Sequence, residues 1–250
     1  MIPRIIHQTW RSTELPEKFA SYQKTWRQLN PDCEYRFYDD QACAAFVHLE
    51  FPSLSALYDA LPLPILKADL FRYLVVFRHG GLYVDLDMEC LKPFASFFRL
   101  EGALVSIEAR VTARRQCELG YRHPYQIANC IFASVPGHPF FHDVIDVACK
   151  ALKGRREIST HDVEDLTGPR MLTRTFYVTK LHRPQVIPQT CWLPYRLYPS
   201  IFPLTLKVYA RHHFAGTWKA VPPRAQIRRR WIERDVPPNP FPADFHRFAE

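Results

Sequence analysis

Glycine is scarce in this chain, at 8 of 250 residues, while proline is abundant at 22. Prolines crowd the turns of the first hundred residues and return after Pro184, so the second half is expected to hold irregular connections rather than disorder. No apolar run approaches the roughly twenty residues that cross a bilayer as a helix. The N-terminal Met-Ile-Pro-Arg-Ile-Ile-His lacks the charge order and apolar core of a signal peptide. The expectation is a soluble cytoplasmic chain, with room for peripheral attachment to the membrane inner face. No Cys-X-X-Cys occurs, and the seven cysteines are odd in number and without paired spacing, which argues against a zinc site and for free thiols in a reducing compartment.

What is present fits one large α/β domain over residues 1–250, with 222–250 a basic, proline-rich tail. A hydrophobic fraction of 47% and a charged fraction of 23% are ordinary for a globular protein. The net charge of +8 points to anionic partners, among which a nucleoside diphosphate, anionic lipid and nucleic acid all qualify.

The chain is organised around residues 64–94. Pro64 suits a first helical position, the next fourteen residues contain no glycine or proline, and His79-Gly80-Gly81 supplies a stop, so a helix is predicted here. Apolar residues surround it, which makes Asp69 and Arg72, one turn apart, a buried pair with each other or with a ligand. After the glycines the period changes to two. Tyr83, Asp85 and Asp87 then share one strand face, opposite Leu82, Val84 and Leu86. Two close carboxylates repel, so they call for a cation between them or water around them, and a divalent metal suits the strand end. An Asp-X-Asp after a buried helix and a Gly-Gly turn is how a nucleotide-sugar site is built, the metal neutralising the diphosphate that leaves.

Lys67-Ala-Asp-Leu-Phe-Arg-Tyr73 followed by Gly80-Gly-Leu-Tyr-Val-Asp-Leu-Asp87 resembles the central motif of glycosyltransferase family 32. It is similar, more distantly, to the clostridial toxin glucosyltransferases. The resemblance implies a GT-A fold, a Rossmann-like mixed sheet flanked by helices, with a nucleotide-sugar donor, Mn²⁺ or Mg²⁺, and retention of anomeric configuration. It implies that Asp69 binds sugar hydroxyls, that Arg72 binds the sugar or phosphate, and that Tyr83 and Asp85 belong to the donor site.

Further blocks follow in the family's order. Ile2 to Trp10 reads as the first strand, and the His7-X-X-Trp10 ending implies stacking of Trp10 on the nucleotide base. A helix is predicted over 17–29, a strand over 34–38 and a second helix over 41–50, with Asp39 and Asp40 as its cap. Residues 109–125 lose periodicity and carry Arg110, Arg114, Arg115, Arg122 and His123, and are read as a loop over the site that meets the acceptor. A strand over 126–133 carries Asn129, matched to a family asparagine that faces the donor sugar. Thr167-Gly168-Pro169 resembles a turn near the acceptor side, with Thr167 a candidate contact. In Tyr209 to Lys219, His213-X-X-Gly216 with Trp218 resembles the family's C-terminal signature, and imidazole suits Mn²⁺ better than Mg²⁺. His213 is therefore taken as the metal ligand beside Asp87, with Asp85 acting through the ribose or a metal-bound water and His212 pointing away. Gly216, Trp218 and Lys219 are placed to close over the phosphates.

The expected activity is transfer of a hexosyl group, from a UDP-sugar first and GDP-mannose second, to a glycan or lipid-linked acceptor in cell-surface polysaccharide synthesis. Arg224 to Arg234 could lie on an anionic membrane. With Asp69, Asp85 and Asp87 otherwise engaged, no carboxylate is left as a nucleophile, so front-face substitution is expected. A toxin-like protein glycosyltransferase is the nearest alternative. A haloacid-dehalogenase-type phosphohydrolase would need Thr or Val where Glu89 stands, and a nucleic-acid-binding module has only charge to support it, so no nucleic acid is expected.

Overall fold

A computed structural model describes residues 1–110, 112–119, 121–155, 157–193 and 208–217. In chain order its strands are β1 (Ile5–Thr9), β2 (Glu34–Tyr38), β3 (Gly81–Val84), β4 (Met88–Cys90), β5 (Ala103–Arg110), β6 (Tyr125–Ser134), β7 (Gln185–Ile187) and β8 (Ala210–His212). The helices between them are α1 (Glu17–Leu29), α2 (Asp40–Glu50), α3 (Ser55–Asp59), α4 (Pro64–His79), α5 (Ala95–Phe98), α6 (Ala113–Leu119), α7 (Pro139–Leu152), α8 (Val163–Leu166), α9 (Pro169–Val178) and α10 (Gln189–Trp192).

Six strands form one sheet in the order β2-β1-β3-β6-β5-β7, and β4 pairs with β8 in a separate ribbon. Only β6 runs against its neighbours; the other pairings in the large sheet are parallel. This is a mixed α/β sheet flanked by helices, the Rossmann-like architecture that the central motif implied. Parallel strands need both faces covered, and β3 is buried at every residue. On one face α4, α7 and α9 bury Tyr73, Phe132, Phe140, Phe141 and Phe176. On the other, α1, α5, α10 and the small ribbon enclose Trp26, Phe94, Phe97 and Trp192. Trp26 sits fully buried because its indole N–H donates to Met88 O at 2.8 Å.

The predicted strand through Asp87 is shorter than its alternation suggests. It stops at Val84, because the Asp85 N–H makes a 2.8 Å bond to Cys130 O and the chain then turns, with Met88 N–H donating to Asp85 O at 3.0 Å. Asp85 and Asp87 therefore flank a turn rather than sharing a strand face. Residues 109–125, expected as a loop, instead extend β5 to Arg110 and form α6. The segment 51–63 holds a 3₁₀ turn over Pro52–Leu54 and α3.

Candidate active site

The C-terminal ends of β1 and β3 and the N-terminal half of β6 open onto a cleft of about 650 Å³. Ligands favour this edge of a parallel sheet, where chain ends diverge and backbone groups are free. The Gly80-Gly81 turn brings the end of α4 hard against β1, and Gly81, at φ 88°, has Ile5 O where a Cβ would lie within 2.6 Å. Only glycine fits that approach.

The floor of the cleft is a buried ionic network carried by α4. Arg72 is 4% exposed and its guanidinium lies 3.0 Å from Asp69 Oδ1 and 3.2 Å from Asp85 Oδ1, and it donates to Asn129 O at 2.8 Å. Asp69, 2% exposed, also accepts from Thr167 Oγ1 at 2.8 Å and from Asn129 Nδ2 at 3.2 Å. Burial holds the Asp69 carboxyl above its ordinary range, against the pull of Arg72 and the Thr167 hydroxyl. Tyr83 donates its hydroxyl to Asp85 Oδ1 at 2.9 Å and lies beside Thr9 Oγ1 at 3.2 Å, so it orients Asp85. Burial pushes Asp85 up to about 6, Arg72 opposing and the neighbouring Asp87 charge adding.

Asp87 is held from the other side by the segment after β8. The Ala215 N–H donates to Asp87 Oδ2 at 2.8 Å, and the His213 N–H to Asp87 O at 3.0 Å. Phe214, at φ 48°, takes the left-handed conformation that few non-glycine residues adopt, and this turn carries the Ala215 amide to the carboxylate. Burial would raise Asp87, but the His212 charge, its hydrogen bond and the Ala215 amide leave it below the usual carboxylate range.

Here the expected histidine is corrected. His212 Nε2 lies 3.2 Å from Asp87, whereas His213 Nε2 bonds Glu89 Oε2 at 3.0 Å and its ring stacks on Tyr22 at 4.1 Å. The register of β4 with β8 places His212 opposite Met88, and alternation then turns the next side chain outward. The His-His doublet signals a histidine in the site, but only the register says which. Thr167 is corrected too: it is fully buried and supports Asp69 rather than reaching an acceptor.

Trp10 lines the same cleft, tilted against Phe19 at 4.8 Å, and its indole Nε1 is buried without a partner among the described residues. Gly216 lines the cleft at φ 58°. Trp218, Lys219 and Arg224 to Arg234 lie outside the described residues. Sequence reasoning missed Cys130, whose thiol is 3.8 Å from His212 Nδ1, and Glu108, which lines the cleft from β5. Neither carries a motif signal.

Among the described residues no group of three or more His, Cys, Asp or Glu is arranged to hold a metal ion. A carboxylate and an imidazole in contact at one cleft wall still suit a divalent cation. Asp87 and deprotonated His212 would hold it, with Asp85 behind them.

Residues 16–104 match the family described as glycosyltransferase sugar-binding region containing DXD motif, a span that includes α4, Arg72 and both aspartates of the turn. That stretch of the chain matches a glycosyltransferase sugar-binding region of the DXD-containing kind. Curated relatives are similar over longer stretches of the chain. Inositol phosphoceramide mannosyltransferase 3 of Schizosaccharomyces pombe is 35% identical over 58% of this chain and 36% of its own length. The initiation-specific alpha-1,6-mannosyltransferase of Candida albicans is 26% identical over 87% of this chain and 72% of its own. The chain spans little more than a third of the length of the first two relatives it matches, at 36% and 38%. Among solved structures, the PaToxG glycosyltransferase is similar at a TM-score of 0.48 and 20% identity over 70% of this chain and 69% of that one. Mouse xyloside xylosyltransferase 1 is similar at 0.49 and 10% identity over 86% and 98%.

Proposed function

We propose that this protein transfers a hexosyl group from a nucleotide-sugar to a glycan or lipid-linked acceptor with retention, in cell-surface glycan assembly. The observation that carries the reading is the Arg72 hub. A single buried guanidinium is shared by Asp69 and Asp85, and the Asp85–Asp87 turn carries a second carboxylate beside His212 at 3.2 Å. Such a hub fixes charged groups at the cleft wall before substrate arrives, so little reorganisation is left to the reaction.

Each residue then has a task. Trp10 stacks on the base. Arg72 holds the phosphate or sugar oxygens, while Asp69 and Asn129 accept and donate to sugar hydroxyls. Asp87 and His212 are the residues to hold a divalent cation, which when bound supplies charge neutralisation of the diphosphate. The acceptor hydroxyl attacks from the face the diphosphate leaves, and its proton passes to that diphosphate. Lys219, expected from the sequence to act on the phosphates, is kept in that role.

The mannosyltransferase names of the relatives favour mannose as the sugar, which moves GDP-mannose ahead of a UDP-sugar as donor. Asp40, which lines the cleft with Trp10, supports this choice, since a carboxylate can accept from the N1 and N2 hydrogens of guanine. Arg224 to Arg234 suit an anionic membrane and a cytoplasmic, peripheral location. Screening nucleotide-sugars for hydrolysis with Mn²⁺ tests the reading. Release of nucleoside diphosphate from one donor, abolished by chelator, is the expected result, and hydrolysis of none would overturn it.

A further inference from the structure

Along the cleft edge the sheet order places Trp10 after β1, Asp85 after β3, Asn129 on β6 and Glu108 on β5. Neighbouring strands lie about 4.8 Å apart, so the line from Trp10 to the Glu108 strand crosses roughly 14 Å, comparable to an extended nucleoside diphosphate sugar. Glu108 thus stands at the end opposite the base, beyond the sugar, where an acceptor must enter. The chain running on from β5 forms the basic helix α6.

The backbone around Glu108 is built irregularly. Between the pairs Val105↔Phe132 and Ile107↔Ile127, β6 advances five residues while β5 advances two, and between Ile107↔Ile127 and Ala109↔Gln126, β5 advances two while β6 advances one. Glu108 is the extra residue of the second shift, and Asn129 lies within the first. Bulges of this kind re-aim side chains and recur beside active sites.

Its side chain is also held. Gln126 Nε2, on a residue 5% exposed, donates to Glu108 Oε2 at 2.9 Å, and Gln189 Nε2 fixes the Glu108 backbone oxygen at 2.7 Å. Most other carboxylates lining the cleft are paired: Arg72 neutralises Asp69 and Asp85, His212 pairs with Asp87 and Arg170 with Glu164, while Asp40 follows β2, at the Trp10 end. Glu108 has no cation partner among the described residues, and its second oxygen has no hydrogen-bond partner there.

We infer that Glu108 is the acceptor-binding carboxylate, whose Oε1 accepts a hydrogen bond from the attacking hydroxyl of a polyol or sugar acceptor and orients it toward the donor. This rests on the glycosyltransferase reading. It requires no bond to the sugar and no proton transfer to Glu108.

Donor hydrolysis and transfer are measured separately, with GDP-mannose and Mn²⁺ and with methyl α-mannoside or myo-inositol as acceptor. Wild-type hydrolysis reports on the glycosyltransferase reading alone. Glu108→Gln and Glu108→Ala are expected to keep donor hydrolysis and donor affinity within threefold, and to lower transfer at subsaturating acceptor at least tenfold. Gln126→Leu, which frees the carboxylate without removing it, should raise the acceptor KM by a smaller factor and leave hydrolysis unchanged. Transfer unchanged in Glu108→Ala, or transfer and hydrolysis falling together in folded Glu108→Gln, would overturn the assignment.

Discussion

At the scale of single residues, the cleft wall is decided by which histidine meets Asp87. His212 is in contact with that carboxylate, while His213 is occupied by Glu89 and Tyr22. His212→Asn is expected to lower transfer by at least a hundredfold and to weaken Mn²⁺ binding, while His213→Asn keeps transfer within about threefold; titration of Mn²⁺ against activity separates the two. Asp69 has a double duty. Removing it in Asp69→Ala leaves Thr167, Asn129 and part of Arg72 unpaired in a buried place, and should cost about 3 kcal/mol of stability by urea denaturation. Asp69→Asn keeps the shape and most of the stability but loses the charge, so transfer should fall at least tenfold; near wild-type kinetics in that variant would make the residue purely structural.

At the scale of elements, the junction of α4 with β3 and β1 holds the site in place. A Cβ at Gly81 would meet Ile5 O at 2.6 Å from a backbone at φ 88°, so Gly81→Ala must push β1 from β3 or strain the turn. A loss of about 3 kcal/mol or more is expected in chemical denaturation. Beside this turn His7 is fully buried, bonded to Gly80 O at 3.0 Å and near the Tyr38 hydroxyl at 3.2 Å. Burial lowers its pKa from 6.5 to about 3, with Arg36 and His79 adding to the effect and Gly80 O and Glu34 opposing it. The folded protein therefore keeps His7 neutral while the unfolded chain takes up a proton below about 6.5. This stability is present above pH 6.5 and declines as pH falls toward 3, by at most about 1.4 kcal/mol per pH unit. In His7→Gln the loss of stability between pH 7 and pH 5 should shrink by about 1–2 kcal/mol, as read by denaturation at the two pH values; an unchanged difference would show that His7 protonates without unfolding.

At the scale of the whole molecule, the cleft joins α4, β3, β6 and the segment after β8, so a ligand that bridges them stabilises the fold as a unit. Mn²⁺ with nucleoside diphosphate at about a hundred times its Kd should add about 2.7 kcal/mol and raise Tm by roughly 5–10 °C, an effect that chelator reverses. Tm that ignores both would place the ligand elsewhere. Much of this architecture was legible in the sequence. α4 came from Pro64, an unbroken run and the Gly-Gly stop, and α1, β2 and α2 from their periodicity and caps. The Asp69–Arg72 pair was readable as buried because the helix is apolar on most sides.

What the sequence determined by itself were features fixed by local periodicity and by residue chemistry: the helix before the turn, the glycines, the acidic pair and a histidine somewhere after residue 209. The tertiary structure decided what depends on register and on distant neighbours. It ended β3 at Val84, because the last ladder bond runs from Asp85 N–H to Cys130 O on another strand. It chose His212 over His213, because the pairing of β4 with β8 sets which side of a strand faces Asp87. It brought Glu108 to the cleft through two register shifts against β6, which leave no local trace, since a bulge is defined only by the strand it is measured against.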